Sequence, residues 1–424
     1  MTPAVAPGSY PLNATFAATA TLLASSAKKT VNLIDAAPQP VVQFSAASYS
    51  VQEDCTALTI TVNRVGDSSG TVSVDYNTSD GAATERKDYI TALGTLQFGA
   101  GESSKTFVVL INEDSLVEGT ETFNVNLGNP AGVALGTQAT ATITITDDAS
   151  EPATNAVDDP RTYVCQNYHD FLNRQPDPGG WDFWTNQITS CGSDAQCIEV
   201  RRINVSASFF LSIEFQQTGY LIERLYKTAY GDATGNSTFG GTHQLAVPTV
   251  RFTEFLADTQ KIGEGVIVLQ PGWEQVLETN KQAFILAFVQ RSRFTTAFPN
   301  ALTPAQFVDA LNSKAGNVLS AGERTNAIAL FGGAGDSNNI SARAQALRQV
   351  AEDQDLFNAE FNRAFVLMQY IGYLRRNPND PQDSDYSGYD FWLTKLNQFN
   401  GNYINAEMVK AFLSSIEYRQ RFGP

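Results

Sequence analysis

The hydrophobic period of this chain changes once, across residues 149 to 159, and that change dictates two kinds of domain. From Val41 to Asp148 apolar residues recur at every second position. Leu58, Ile60 and Val62 share a face, as do Val72, Val74 and Tyr76, then Phe123, Val125 and Leu127, then Ile143 and Ile145. Alternation of this kind specifies half-buried strands. Turn-forming runs separate them: Gly66-Asp67-Ser68-Ser69-Gly70, Asp80-Gly81, Gly99-Ala100-Gly101 and Gly128-Asn129-Pro130. About seven short strands at this spacing predict an antiparallel β-sandwich.

Past the linker 149–159 (ASEPATNAVDD) the period becomes 3.6, and helices are expected over Tyr163–Asn173, around Trp181 and Trp184, and over Ser206–Phe215 and Tyr220–Tyr230. Residues 231–272, rich in Gly and Thr, hold the least regular pattern. Further helices are expected over Trp273–Phe298, Pro304–Leu311, Ala321–Phe331, Ser341–Glu352 and Leu356–Arg375, with Thr303 and Ser320 as N-caps and Glu323 at capping-box spacing from Ser320. The end of the chain repeats the start of this half. Tyr168-His169-Asp170-Phe171-Leu172-Asn173-Arg174 matches Tyr370-Ile371-Gly372-Tyr373-Leu374-Arg375-Arg376, Asp182-Phe183-Trp184 matches Asp390-Phe391-Trp392, and Phe210–Phe215 matches Phe412–Tyr418. Repeated units are therefore expected at about 160–230 and 355–424, with a degenerate middle copy between them. The fold class is multidomain β + α: an arm (1–40), a sandwich (41–148), a linker (149–159) and an all-α domain with internal repeats (160–424). Within the arm, Lys29–Asp35 alternates like a strand. A structureless leader and a lone strand able to complete a neighbour's sheet edge are both open readings.

With 28 Lys/Arg against 44 Asp/Glu, the formal charge of −16 argues against nucleic acid as a partner. The acid is concentrated: residues 41–148 hold 14 Asp/Glu and 4 Lys/Arg. Asp114, Glu118 and Glu121 crowd one turn between two apolar strands, and Asp147-Asp148 closes the strand Thr140–Thr146. Carboxylates brought together at strand ends repel one another unless a cation sits between them, and hard oxygen ligands suit Ca²⁺. The competing reading is a solvated acidic rim whose Asp residues cap turns. No run reaches the roughly 18 apolar residues of a membrane span. The N-terminus lacks the charged and apolar regions of a signal peptide, as a mature or shortened chain also would.

Tyr49-Ser50-Val51-Gln52-Glu53, Val74–Ala83, Asp88-Tyr89, Asp114–Phe123 and Ile145–Asp148 together resemble a Calx-β module, an immunoglobulin-like sandwich. The resemblance implies a Ca²⁺ cluster at one end of the sandwich. Its candidate ligands here are Glu53, Asp88, Asp114, Glu118, Glu121, Asp147 and Asp148, with Glu113 a weaker one. Ala149 stands where the exchanger pattern has a third acid, which implies one or two ions in place of a larger cluster. Arg86 and Lys87 are candidates to neutralise part of it. The helical repeat resembles domain of unknown function 4214, related to phycobilisome linkers. Its pairing with Calx-β resembles exported acidobacterial proteins and implies an extracellular or cell-surface setting.

Other chemistry is sparse. Cys191 and Cys197 flank a loop that a disulfide closes readily, two free thiols being the alternative. Cys55 is expected in a strand as a small hydrophobe. His169 and His243 are the only histidines. No G-x-S-x-G, HExxH or P-loop occurs. Asp182 and Asp390, before repeated Phe-Trp pairs, are read as helix-terminal acids beside core aromatics, with a glycosidase pair as the alternative. Trp181, Phe183, Trp184, Tyr386, Tyr389, Phe391 and Trp392 are read as core, with a sugar-stacking surface as the alternative. The expected function is a non-enzymatic calcium-binding structural or adhesion protein, with other surface proteins, glycans or copies of itself as partners. A filament subunit joined through the N-terminal strand, and a carbohydrate-active enzyme or glycan binder, are the alternatives.

Overall fold

The computed structural model describes residues 8–16, 25–33, 39–147, 151 and 153–424, the first two stretches by backbone alone. Strands β1 (Gly8–Phe16) and β2 (Ser25–Leu33) pair antiparallel with Gly8 opposite Leu33, so the strand expected in the arm has a neighbour and does not stand alone. Its expected end, Ile34 and Asp35, lies outside the described residues.

The sandwich is built from β3 (Val41–Phe44), β4 (Ser48–Gln52), β5 (Thr56–Val65), β6 (Val72–Ser79), β7 (Tyr89–Ile90), β8 (Leu93–Phe98), β9 (Ser104–Ile111), β10 (Thr120–Ala131), β11 (Ala134–Leu135) and β12 (Thr140–Thr146). One sheet has the order β4-β12-β10-β6-β8, the other β11-β3-β5-β9-β7. Strand β12 shows why the alternation folds this way: Ala141, Ile143 and Ile145 are buried between the sheets, and the intervening threonines face outward. Phe44, Phe98, Phe123, Val109 and Ile60 fill the same layer, and Tyr89 stacks on Phe123 with ring centroids 3.9 Å apart.

The second half is helical: α1 (Pro160–Asn167), α2 (Pro178–Thr189), α3 (Ala195–Leu211), α4 (Ile213–Gln217) and α5 (Gly219–Tyr230) lead to a hairpin of β13 (Ala233–Ser237) and β14 (His243–Val247). Then come α6 (Phe252–Gly263), α7 (Trp273–Phe288), α8 (Ser292–Ala297), α9 (Pro304–Lys314), α10 (Ala321–Ala329), α11 (Ile340–Ala351), α12 (Gln354–Met368), α13 (Ser387–Gln398), α14 (Met408–Leu413) and α15 (Ile416–Arg419). Thr303 and Ser320 each cap a helix, with Gln306 and Glu323 closing the capping boxes. Residues 231–272 are more regular than their composition suggests. The hairpin strands ATGNS and HQLAV carry little apolar alternation, while α6 buries Phe252, Phe255, Leu256 and Ile262 at helical spacing. The segment expected as one helix from Trp273 divides between α7 and α8.

The repeated sequences make repeated contacts. Helix α1 runs into a π-helical turn at Tyr168–Leu172 and α12 into one at Gln369–Tyr373. The guanidinium of Arg174 grips Glu214 through two hydrogen bonds (2.6 and 2.8 Å), and that of Arg376 grips Glu417 likewise (2.6 and 3.0 Å). Tyr168 meets Phe209 edge-on at 4.8 Å, as Tyr370 meets Phe412 at 5.2 Å. A Cβ on Gly180 would strike the Tyr168 hydroxyl, and one on Gly388 the Tyr370 hydroxyl, so glycine lets the first turns of α2 and α13 approach these tyrosines. The copies meet where Phe171 packs against Tyr373.

A disulfide joins Cys191 to Cys197, and a second joins Cys55 to Cys165. The second corrects the expectation for Cys55, which sits in the turn before β5 and ties the sandwich to α1. Among the described residues no helix is long and apolar enough to cross a membrane.

Candidate metal centre

Strand register brings the acids to one tip. Gln52 lies opposite Thr146 and Thr146 opposite Thr120, while Thr56 and Tyr89 both lie opposite Ile111. Glu53 follows β4, Asp88 precedes β7, Asp114 and Glu118 occupy the β9–β10 loop, Glu121 is the second residue of β10, and Asp147 follows β12. Six of the seven predicted ligands therefore lie at strand ends on the same side; Asp148 lies outside the described residues.

Carboxylate oxygens of Asp88, Glu118 and Glu121 all lie within 4.8 Å of one another. Asp114 is next to them: its carboxyl feels the charges of Asp88 and Asp147, and its N–H donates to Glu53 Oε1 at 3.1 Å. Asp147 Oδ2 accepts from the N–H groups of Glu118 (2.9 Å) and Gly119 (2.7 Å), closing the turn in which Gly119 takes φ +79°. Glu113 is half-buried, and its charge acts on Glu53.

Each loop is fixed from beneath. Asp88 Oδ2 accepts from the Thr84 N–H at 2.5 Å, and Asp114 Oδ1 from the Leu116 N–H at 2.7 Å. Asn112, fully buried, donates to the carbonyls of Arg86 (3.0 Å) and Lys87 (2.6 Å), lashing the Asp88 loop to the Asp114 loop. These bonds leave Asp88 Oδ1 and Asp114 Oδ2 buried without a hydrogen-bond partner, on residues 4% and 1% exposed. Buried carboxylate oxygens without a donor are costly, and two on acids that stand among other carboxylates fit a divalent cation.

The electrostatics agree. Burial, reinforced by Asp114, Glu113 and Asp88, pushes the Glu53 carboxyl up to about 9. Burial and the neighbouring acids lift Asp114 to about 6 and Glu118 to about 7 and raise Glu121 in the same direction; burial raises Asp88 as well, against the hydrogen bonds from Thr84, the charge of Lys87 and a hydrogen bond with Glu118. Arg86 is engaged by Glu85 at 3.1 Å. Lys87 is exposed; its charge partly favours the ionised acids, but among the described residues no salt bridge to it forms. The tip is therefore acid-rich, crowded and incompletely neutralised by protein cations.

The other singled-out residues are engaged elsewhere. Asp182 pairs with Arg161 at 2.8 Å; Asp390 accepts from Ser237 Oγ at 2.6 Å and lies 3.2 Å from His243. His169 is buried with its imidazole against Gln175 at 2.8 Å, and burial holds its pKa down at about 4. Of the repeated aromatics, Tyr386 and Tyr389 are buried, the tryptophans Trp181, Trp184 and Trp392 are partly buried against the core, and Phe183 and Phe391 are exposed. Asn112, Thr84 and the Cys55–Cys165 bond were not anticipated. The even cysteine count was the available signal for the last.

Residues 35–149 match the Calx-beta domain family. The chain is 32% identical over 137 residues to the extracellular matrix organizing protein FRAS1 of Mus musculus, an alignment covering 31% of this chain and 3% of that protein. It is 36% identical over 106 residues to the sodium/calcium exchanger Calx of Drosophila melanogaster (25% of this chain, 11% of that protein). Against sodium/calcium exchanger 1 of Mus musculus the identity is 34% over 158 residues (32% of this chain, 16% of that protein). The chain thus spans only a small part of the length of these relatives. Among solved structures, the apo-form Calx CBD1 domain is 34% identical, with 26% of this chain and 98% of that chain covered, at a TM-score of 0.26.

Proposed function

We propose that this chain is a non-enzymatic, exported or cell-surface protein whose sandwich takes up Ca²⁺ at the acidic tip and thereby becomes a rigid structural or adhesion element. The buried, donorless oxygens of Asp88 and Asp114, set among Glu118 and Glu121, carry the reading. The matched Calx-beta family, the exchangers and the matrix-organizing relative support it. Asp88, Asp114, Glu118 and Glu121 would hold the ion, with Glu53 and Asp147 beside them. A bound divalent cation supplies the positive charge that the tip lacks. The acids then remain ionised, and the β9–β10 loop is held against the Asp88 loop.

Ligand linkage stabilises the folded state by about 2.7 kcal/mol at a free ion concentration 100 times the dissociation constant. A thermal melt in calcium chloride against chelator tests this; an upward shift is expected, and coincident melts would refute it.

A filament subunit is the second reading. Strands β1 and β2 form a two-stranded sheet, which is marginal alone and gains from a further strand. Light scattering of full-length and arm-deleted protein separates the two; equal monomer content would remove it. The helical half, likened above to domain of unknown function 4214, would act as the scaffold carrying the sandwich.

A further inference from the structure

Three of the segments that present the acids are fastened to the helical half. The Glu53–Cys55 turn is held by the Cys55–Cys165 disulfide, and the Cys55 carbonyl accepts from Gln175 Nε2 at 2.7 Å. The Thr84–Asp88 loop is held by Arg421, whose Nε donates to the Arg86 carbonyl at 3.0 Å. The β9–β10 loop is held by Ser115, whose Oγ donates to the Phe422 carbonyl at 3.1 Å. A Cβ on Gly423 would overlap that hydroxyl, so the last residues of the chain lie tight against the loop.

The segment Arg421–Gly423 is itself anchored in both repeats. Arg421, 4% exposed, grips Asp170 through Nη1 and Nη2 (3.0 and 2.9 Å) and donates to the Tyr373 carbonyl at 2.6 Å. Asp170 and Tyr373 belong to the π-helical turns of the first and second copy. The Phe422 carbonyl also accepts from the Ala156 N–H at 3.1 Å. One guanidinium thus joins the two repeats and the sandwich.

We propose that the helical half is a working part of the cation site. Arg421, Ser115 and the Cys55–Cys165 bond are positioning elements that hold the acid-bearing loops together, and cation occupancy is linked to the seating of Arg421–Gly423. This rests on the cation reading above and adds its regulation. Loops crowded with acid drift apart when nothing restrains them, and gathering them again costs conformational entropy at the moment of binding. The fastenings meet that cost during folding. Linkage is reciprocal, so whatever favours the cation is in turn favoured by it.

The test uses the full chain: wild type, Arg421→Gln, the milder Ser115→Ala, and the Cys55→Ser/Cys165→Ser pair. Arg291→Gln serves as control, because it breaks an ion pair whose partners Asp258 and Tyr226 lie wholly within the helical half. Calcium affinity is read by titration calorimetry, and seating by hydrogen exchange of the Ala156 amide with and without calcium. The expected result is affinity weakened about fivefold or more in the interface variants, the lower end of common coupling strengths, and within twofold of wild type in the control. Calcium should slow Ala156 exchange in wild type. Ser115→Ala keeps the test decisive where Arg421→Gln fails to fold. Calcium-binding wild type with equal affinity in the interface variants, or unchanged Ala156 exchange, would overturn the linkage alone. Absence of calcium binding by wild type would overturn the cation reading and the linkage with it.

Discussion

The perturbation that reads the acidic tip most fully is pH, because its carboxyls are raised. In the ion-free protein Asp114 titrates at about 6, Glu118 at about 7 and Glu53 at about 9. Each folded value exceeds its unfolded one, so the ion-free fold holds extra protons and loses stability as pH rises through that range. A cation displaces those protons, so affinity gains with pH in the same window. From pH 6 to pH 8, Asp114 goes from about half to almost wholly ionised, and Glu118 from about one-tenth to about nine-tenths, which together raise affinity about 20-fold. Glu118 is exposed, and solvent screening trims its share to leave about tenfold. Ionisation of Glu53 would add up to a further factor of about 90 over the same interval. Calorimetric titration with calcium at pH 6, 7 and 8, in buffers of different ionisation enthalpy, measures both the affinity and the protons released. Ordinary exposed carboxylates are fully ionised throughout this range. A flat affinity with no proton release would therefore refute the crowding argument.

Other consequences are equally concrete. Asp114→Ala and Asp147→Ala should abolish any calcium-dependent rise in melting temperature, measured by calorimetry. Glu223 is buried beside Glu360, which with burial raises its carboxyl well above the usual range; Glu223→Gln should therefore stabilise the protein at pH 8 by about 1–2 kcal/mol and flatten the fall in stability with rising pH, followed by urea unfolding. The two disulfides close loops of 110 and 6 residues, so replacing Cys55 and Cys165 by serine should cost about 2–3 kcal/mol more than replacing Cys191 and Cys197 on the loop-entropy scale, again by urea unfolding. Arg376→Ala should cost about 2–3 kcal/mol, because the hydrogen bonds from the buried guanidinium are lost while Glu417 and Asp383, both partly exposed, stay solvated.

The sandwich was legible because the longer strands carry stretches of alternation, as in TATITIT of β12, and glycine-rich turns punctuate them; β9 departs from the pattern, with Val109, Leu110 and Ile111 all buried. The tip was legible for a related reason: Glu53, Asp88 and Asp147 each stand next to a strand end and Asp114 stands in the short loop between two strands, and strand register, parallel for β4 with β12 and antiparallel for β5 with β9, β7 with β9 and β10 with β12, brings those ends to one side. Long-range closure was not legible. Nothing local to Cys55 or Cys165 distinguishes a partner 110 residues away from a buried thiol. The hairpin Ala233–Val247 escaped notice because polar and glycine residues fill it, and its stability comes from packing of Gly235 under Tyr386, a contact invisible to periodicity. Arg421 reads as a charged residue near a terminus. Its role depends on Asp170 and Arg86, which only the fold brings to it.

The calcium reading and the linkage built on it depend on a divalent ion among the carboxylates at one end of the sandwich. Crystals grown with calcium chloride, and again with terbium for its anomalous signal, show that place directly. A peak within coordinating distance of Asp88, Asp114 and Glu118 is the expected result. Clean maps there in both, with the same acids protonated or turned toward lysine and arginine, would contradict it.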